Sequence, residues 1–253
     1  MASGEAPFEG VVPVELRSTG IAGLDKLMHG GIPADGLTLV LGDTGSGKSL
    51  LAHQYLWEGI RHNEPSICIL TETHREALNR SMKDFGWDIT GSEGKNLRVI
   101  EGFTWSFPDL LAQIEADSRE FTLSTLDLDK LMLLITQACD QVGPAGRLVF
   151  DGLSDLFILL ADDRKVLRLM RRVEVYTAGV KYGAIITLDP LTQGEIATRA
   201  AMHLADGIIE IRLREGEGRE GLKREIRVRS MPQAHDSSWH PFTIGGQGLQ
   251  VVP

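Results

Sequence analysis

The stretch Leu41 to Leu50, LGDTGSGKSL, constrains the chain more than any other. Gly42, Gly47, Lys48 and Ser49 match the G-x-x-x-x-G-K-[ST] spacing of a loop that cradles phosphate, with an apolar run before it and a helical pattern after it. A β-strand, a glycine-rich turn and a helix are therefore expected in that order. The turn folds tightly enough to aim backbone N–H groups at phosphate oxygens. The loop spans Gly42, Asp43, Thr44, Gly45, Ser46, Gly47, Lys48, Ser49 and Leu50. Within it, Lys48 supplies positive charge to the phosphates and Ser49 can ligate Mg²⁺. The motif alone says that phosphate is held, not that it is cleaved.

The rest of the chain agrees with an α/β fold. Apolar runs of strand length recur at residues 37–41, 66–71, 96–100, 147–150 and 184–188. Continuous apolar runs fit strands buried on both faces. Segments of helical period separate them, as in Leu51, Tyr55 and Leu56, or Val166, Leu169, Met170 and Val173. Such alternation predicts a mostly parallel central sheet flanked by helices. Ser124 and Asp127 have the spacing of a capping box ahead of the apolar stretch to Cys139, and Asp162 and Asp163 are expected to cap the next helix. After Asp206 the pattern becomes strict alternation. Ile209, Ile211 and Leu213 oppose Glu210, Arg212 and Arg214, then EGEGREG turns the chain into Ile226 and Val228. An antiparallel hairpin with one wet face follows, and PFTI with LQVV adds a second pair at the same sheet edge. Residues 1–14 are expected to be a flexible segment and 15–253 a single domain.

Two further carboxylates point to chemistry. Asp151 ends the run RLVFD, at the carboxyl end of a strand, where ligands of open α/β sheets bind and where it can hold the water shell of Mg²⁺. Asp155 reads as a cap. Glu72 ends the run ILTE and can orient and deprotonate an attacking water, although the same residue would suit the opening of the helix that follows. Arg164, Arg168, Arg171 and Arg172 lie opposite an apolar stripe and read first as a solvated face, second as a nucleic-acid or partner surface.

Composition excludes several classes. With 253 residues, 42% of them hydrophobic, the chain can bury a substantial core. No apolar run approaches the ~20 residues that cross a bilayer, and the start MASGEAPFEG has no apolar signal core, so no membrane association and a cytoplasmic setting are expected. A net charge of −9 argues against non-specific nucleic-acid binding. Cys68 and Cys139 have no partners at zinc-ligand spacing and read as buried thiols. His235 and His240 lack a third ligand nearby. The tryptophans are dispersed and read as core or half-buried residues.

The run STGIAGLDKLMHGGIP before the loop, with Gly20, Gly23, Leu24, Asp25, Gly30, Gly31 and Pro33, then LGDTGSGKS, FGWD and LADGIIEI with the trailing hairpins, resembles the KaiC-like branch of the RecA-type ATPases. That resemblance implies a RecA-like core, ATP with Mg²⁺, and assembly into a homo-oligomeric ring, hexameric by preference, with nucleotide between subunits. Members usually end the strand after the phosphate loop in two glutamates, whereas this chain has Glu72-Thr73, which keeps the residue expected to activate water. A Lys-x-Arg element reaching the neighbouring γ-phosphate aligns here with Arg229-Ser230-Met231, leaving one cation, Arg229, as the trans finger. His235 falls where a histidine touches the nucleotide sugar. These departures imply slow turnover. The alternatives are a nucleotide-gated scaffold without significant hydrolysis and a recombinase-like DNA-binding ATPase. Self-phosphorylation is not implied.

Overall fold

The computed structural model describes residues 14–102, 126–215 and 221–252. The expected flexible segment, apart from Val14, therefore lies outside the described residues. So do Ser124, Trp105 and the hairpin turn at 216–220.

Among the described residues, the chain begins with β1 (Leu16–Arg17), α1 (Ala22–Leu27) and β2 (Ile32–Pro33), where β1 and β2 form a small antiparallel pair. The run LTLVL forms β3 (Leu37–Leu41), the phosphate loop follows, and α2 (Lys48–Arg61) leaves it. Next come β4 (Ser66–Leu70), α3 (Arg75–Lys83) and β5 (Leu97–Glu101). After residue 125 the order is α4 (Leu128–Val142), β6 (Arg147–Asp151), α5 (Leu153–Leu160), α6 (Asp163–Val180), β7 (Gly183–Leu188) and α7 (Glu195–Leu204). Four strands close the chain: β8 (Gly207–Glu215), β9 (Leu222–Ser230), β10 (His240–Gly245) and β11 (Gly248–Val251).

The main sheet has the order β11-β10-β9-β8-β3-β7-β6-β4-β5. From β8 to β5 every pairing is parallel; β9, β10 and β11 extend the β8 edge in antiparallel fashion. Every residue of β3, β4, β6 and β7 is buried, as strands covered on both faces require. Their side chains alternate between two cores. Leu37, Leu39 and Leu41 pack with α4, α5, α6 and α7 on one face, while Val40, Cys68 and Val149 pack with α1, α2 and α3 on the other. The apolar stripe of α6 is buried as its period requires, and Arg164, Arg168, Arg171 and Arg172 point to solvent.

Helix starts follow side-chain chemistry, with one correction. Asp127 is not the third helical residue of a capping box: it is the N-cap of α4, with Oδ1 accepting from the N–H groups of Asp129 (2.9 Å) and Lys130 (3.1 Å). Its extended backbone lets one carboxylate satisfy two orphan donors directly. Asp162 caps α6 as expected.

The amino ends of β4 and β6 are tied by a partly buried ion cluster. Arg147, 2% exposed, donates to Glu64 and to the carbonyls of Ser18 (2.6 Å) and Tyr55 (3.1 Å), and its guanidinium lies 4.5 Å over the Tyr55 ring. Arg17 donates to the same Glu64 carboxylate at 2.9 Å. Burial pushes the Glu64 carboxyl up, but Arg147 and Arg17 more than offset this and hold it below its ordinary value of 4.5. A carboxylate with a depressed folded-state pKa stabilises the fold above the unfolded value and loses that contribution as pH falls through the folded one. Glu64→Gln should therefore cost about 2 kcal/mol near neutral pH by urea unfolding. The gap to wild type should close as the pH falls below 4.5 and through the lower folded value.

Candidate functional site: a phosphate loop ringed by carboxylates

The C-terminal ends of β3, β7, β6 and β4 lie side by side, so whatever follows those strands shares one edge. Gly42 leaves β3 where a Cβ would come 2.5 Å from the Ile211 carbonyl oxygen and 2.8 Å from Ser46 Oγ. Gly47 caps α2 at φ +113°, in the left-handed region that favours glycine. The turn thus delivers the open N-terminus of α2, with its free N–H groups, to the sheet edge. Lys48 Nζ donates to the Asp43 carbonyl at 2.9 Å, and Ser46 Oγ is buried without a partner among the described residues.

Asp151 is the last residue of β6 and is buried. Ser49 (2.9 Å) and Thr187 of β7 (2.8 Å) both donate to its Oδ1. His53, one turn after Ser49 on α2, places Nε2 3.0 Å from Oδ2, off the line of a good hydrogen bond. Burial alone would raise the carboxyl, but His53, Thr187 and Ser49 hold it below the ordinary range. Asp151 is therefore an anion fixed beside the first turn of α2.

Glu72 follows β4 and is not part of α3, whose N-cap is His74. It approaches the main chain just past Asp151: a Cβ on Gly152, itself at φ +104°, would lie 2.7 Å from Glu72 Cγ and 2.5 Å from Thr71 Oγ1. The Glu72 carboxyl is raised by burial and then by Asp151, Asp155 and Asp189, with Lys48 opposing. Asp155 is not a cap; Gly152 holds that position on α5, and the Asp155 carboxyl, raised by burial, faces the cleft. Asp189, just past β7, accepts from Thr44 Oγ1 at 3.2 Å. Thr44, Lys48, Ser49, Glu72, Asp155 and Asp189 thus line a cleft of about 440 Å³, within the range of small-molecule sites.

Two expected residues lie elsewhere. Arg229, on β9, donates to Glu210 Oε1 at 2.5 Å and borders a separate surface hollow with Leu191, Gln193 and Met202. Arg227 lies on the same strand face and donates to Glu210 Oε2, whereas Met231 is buried against Gly207. Arg227 and Arg229 therefore share one strand face and one carboxylate partner, while Met231 is turned into the core. His235 sits in the β9–β10 connection with Nδ1 2.9 Å from the Gln233 carbonyl, whereas Leu50 does line the cleft while packing partly against the α2-side core. His240 pairs with Asp236, and no group of three or more His, Cys, Asp or Glu that could hold a metal occurs among the described residues.

Sequence reading missed His53, Thr187, Asp189 and Arg227. His53 follows Ser49 by one helical turn, and Arg227 follows the alternation of β9, so both carried a signal. Thr187 and Asp189 become visible only once β7 is placed between β3 and β6.

A phosphate loop on a mostly parallel sheet, with carboxylates at neighbouring strand ends, defines a RecA-like P-loop nucleotide-binding protein. Residues 17–253 match the family described as "ATPase: KaiC", and the chain belongs to that family. It is 31% identical over 245 residues to a UPF0273 protein of Aeropyrum pernix, covering 95% of this chain and 94% of that one. A UPF0273 protein of Methanocaldococcus jannaschii is 33% identical over 244 residues, with 93% and 95% covered. The crystal structure of a KaiC-like protein from Pyrococcus horikoshii OT3 superposes with a TM-score of 0.77 at 24% identity, covering 95% of this chain and 100% of that one, and shares the fold.

The tight passage at Gly152 gives a direct test of how the site is held. Gly152→Ala forces both a disfavoured φ and a collision with Thr71 and Glu72. Thermal unfolding should show a loss of about 2–4 kcal/mol.

Proposed function

We propose that this protein binds ATP with Mg²⁺, hydrolyses it slowly, and couples nucleotide state to the shape of a homo-oligomeric ring, hexameric by preference, or to a partner. The observation that carries this reading is that Lys48, Ser49 and Glu72 line one cleft, with Asp151 buried directly behind it and accepting a hydrogen bond from Ser49. The residues fit the ligand. Gly47 opens the α2 N-terminus toward phosphate, and Ser49 with Asp151 offers the hard oxygen donors Mg²⁺ prefers. When bound, Mg²⁺ neutralises charge on the phosphate oxygens.

The protein's own groups supply the rest. The α2 N–H groups and Lys48 hold and orient phosphate, and Asp151 keeps the cation's water shell in place through fixed oxygens. Glu72, whose carboxyl is raised by its surroundings, accepts a proton from the attacking water more readily than an ordinary glutamate would. Thr73 supplies no second carboxylate, which favours slow turnover. Arg229, together with Arg227 on the same face, is the trans cation pair offered to a neighbouring subunit, and His235 is the residue proposed to touch that subunit's nucleotide sugar. Buried free thiols at Cys68 and Cys139 fit a reducing, cytoplasmic setting. No helix among the described residues is long and apolar enough to cross a membrane. Two of the four α6 arginines have local carboxylate partners, Arg172 with Asp129 and Arg171 with Glu174, which favours a solvated face over a nucleic-acid site.

A second reading, a nucleotide-gated scaffold, is favoured by the engagement of both Arg227 and Arg229 with Glu210. Phosphate release and binding of a fluorescent ATP analogue separate the two. Lys48→Ala should lose binding, while Glu72→Gln should bind normally and turn over about 10²–10⁴-fold more slowly. Wild-type turnover no higher than that of Glu72→Gln leaves the scaffold. Mixing Glu72→Gln chains with Arg229→Ala chains should restore activity neither shows alone, because some interfaces then carry both intact residues.

A further inference from the structure

We propose that His53 is a positioning residue that fixes which oxygen of Asp151 faces Ser49, and so sets the Mg²⁺ dependence of nucleotide binding from a place that touches neither ligand. The inference rests on the ATP–Mg²⁺ reading above.

His53 lies on α2 one turn beyond Ser49, so both side chains leave the same helix face toward β6. It is 6% exposed, and a buried imidazole needs a polar neighbour to offset the loss of water. Its Nε2 has Asp151 Oδ2 at 3.0 Å as its nearest carboxylate oxygen. The two oxygens of Asp151 are thereby distinguished: Ser49 and Thr187 occupy Oδ1, and the imidazole stands against Oδ2. A carboxylate held only on one oxygen can rotate about χ2 and exchange them. One held on both sides, by hydroxyls and by a ring anchored in a helix, resists that exchange. Partners behind a metal-holding carboxylate act in this way, and their loss costs metal affinity rather than ligand identity. The contact is off the line of an ideal hydrogen bond, so a side chain that carries an N–H of similar reach can replace it.

The test uses the full chain and a fluorescent ATP analogue, titrated with Mg²⁺ and, separately, bound in EDTA. His53→Leu should raise the Mg²⁺ concentration for half-maximal enhancement about tenfold or more, with the EDTA affinity unchanged. His53→Gln, which keeps a terminal N–H, should recover most of the loss, and His53→Met gives the same comparison should the leucine variant not fold. A Mg²⁺ titration of the apolar variants that overlays wild type overturns the inference alone. Equal losses with and without Mg²⁺ also overturn it, by showing a packing role. A wild-type protein whose binding ignores Mg²⁺ overturns the inference and the metal part of the function together.

Discussion

A carboxylate buried at the end of a strand is unstable unless its surroundings supply what water did, and that requirement at Asp151 joins the parts of this molecule. Its partners come from different segments. Ser49 and His53 belong to the helix after the phosphate loop, and Thr187 belongs to the strand next door. Satisfying the charge therefore docks α2 against β6 and sets β7 in register beside it. Thr187 Oγ1 also accepts from Gly152 N–H at 2.9 Å, so the chain leaving β6 is held by the same side chain. Gly152 then lets Thr71 and Glu72 come close. The cleft is a consequence of solving one buried-charge problem with three groups from two elements.

The sheet divides its work by strand type. The parallel interior is apolar on both faces and carries the site at one end; beyond Ile208, which packs into the opposite core, the buried apolar residues of the β8–β9 hairpin lie on the α2 side. On its other face, Glu210 and Glu225 alternate with Arg227 and Arg212, and the two guanidiniums stack on Trp239 at 4.6 Å and 3.9 Å. Exposed ion pairs contribute little each, but stacking on an aromatic ring fixes guanidinium orientation. Among the described residues, this face is ordered by ion pairs and by stacking on Trp239.

Much of this was readable before the structure, for identifiable reasons. The runs at β3, β4, β6 and β7 could be placed because burial on both faces leaves an unbroken apolar signal, and Asp151 stood out as the polar residue ending one of them. The hairpin was readable because β8 and β9 alternate strictly. Asp127 was misjudged because a serine at capping-box spacing precedes it, although an aspartate caps a helix well by itself. His53 was passed over because its partner lies on a strand about a hundred residues away in sequence, and no local pattern encodes which strands become neighbours. Asp189 followed the same rule, since Asp-Pro after a strand reads as the start of a turn. Arg227 is a different case: β9 had been read as alternating, and applying that period to the arginines would have paired Arg227 with Arg229.

The charge balance of the cleft bears on how it would work. Lys48 shares the cleft with Glu72, Asp155 and Asp189, with Asp151 buried beside it, and burial first, then the charges of these carboxylates, raises the Glu72 carboxyl. A triphosphate entering such a space brings more negative charge toward fixed carboxylates, so the α2 N-terminus and Lys48 must offset repulsion as well as supply attraction. On the proposed reading, that disfavours a bare nucleotide and favours one that arrives with a divalent cation. On the same reading, with Glu72 as the proposed base, occupancy and proton acceptance would be coupled: the more anionic the cleft becomes, the higher the Glu72 carboxyl is pushed and the better a proton acceptor it is once ionised. A site arranged in this way ties proton acceptance to the same charges that determine binding, so the rate would respond to any neighbouring subunit that adds or withdraws positive charge at its mouth.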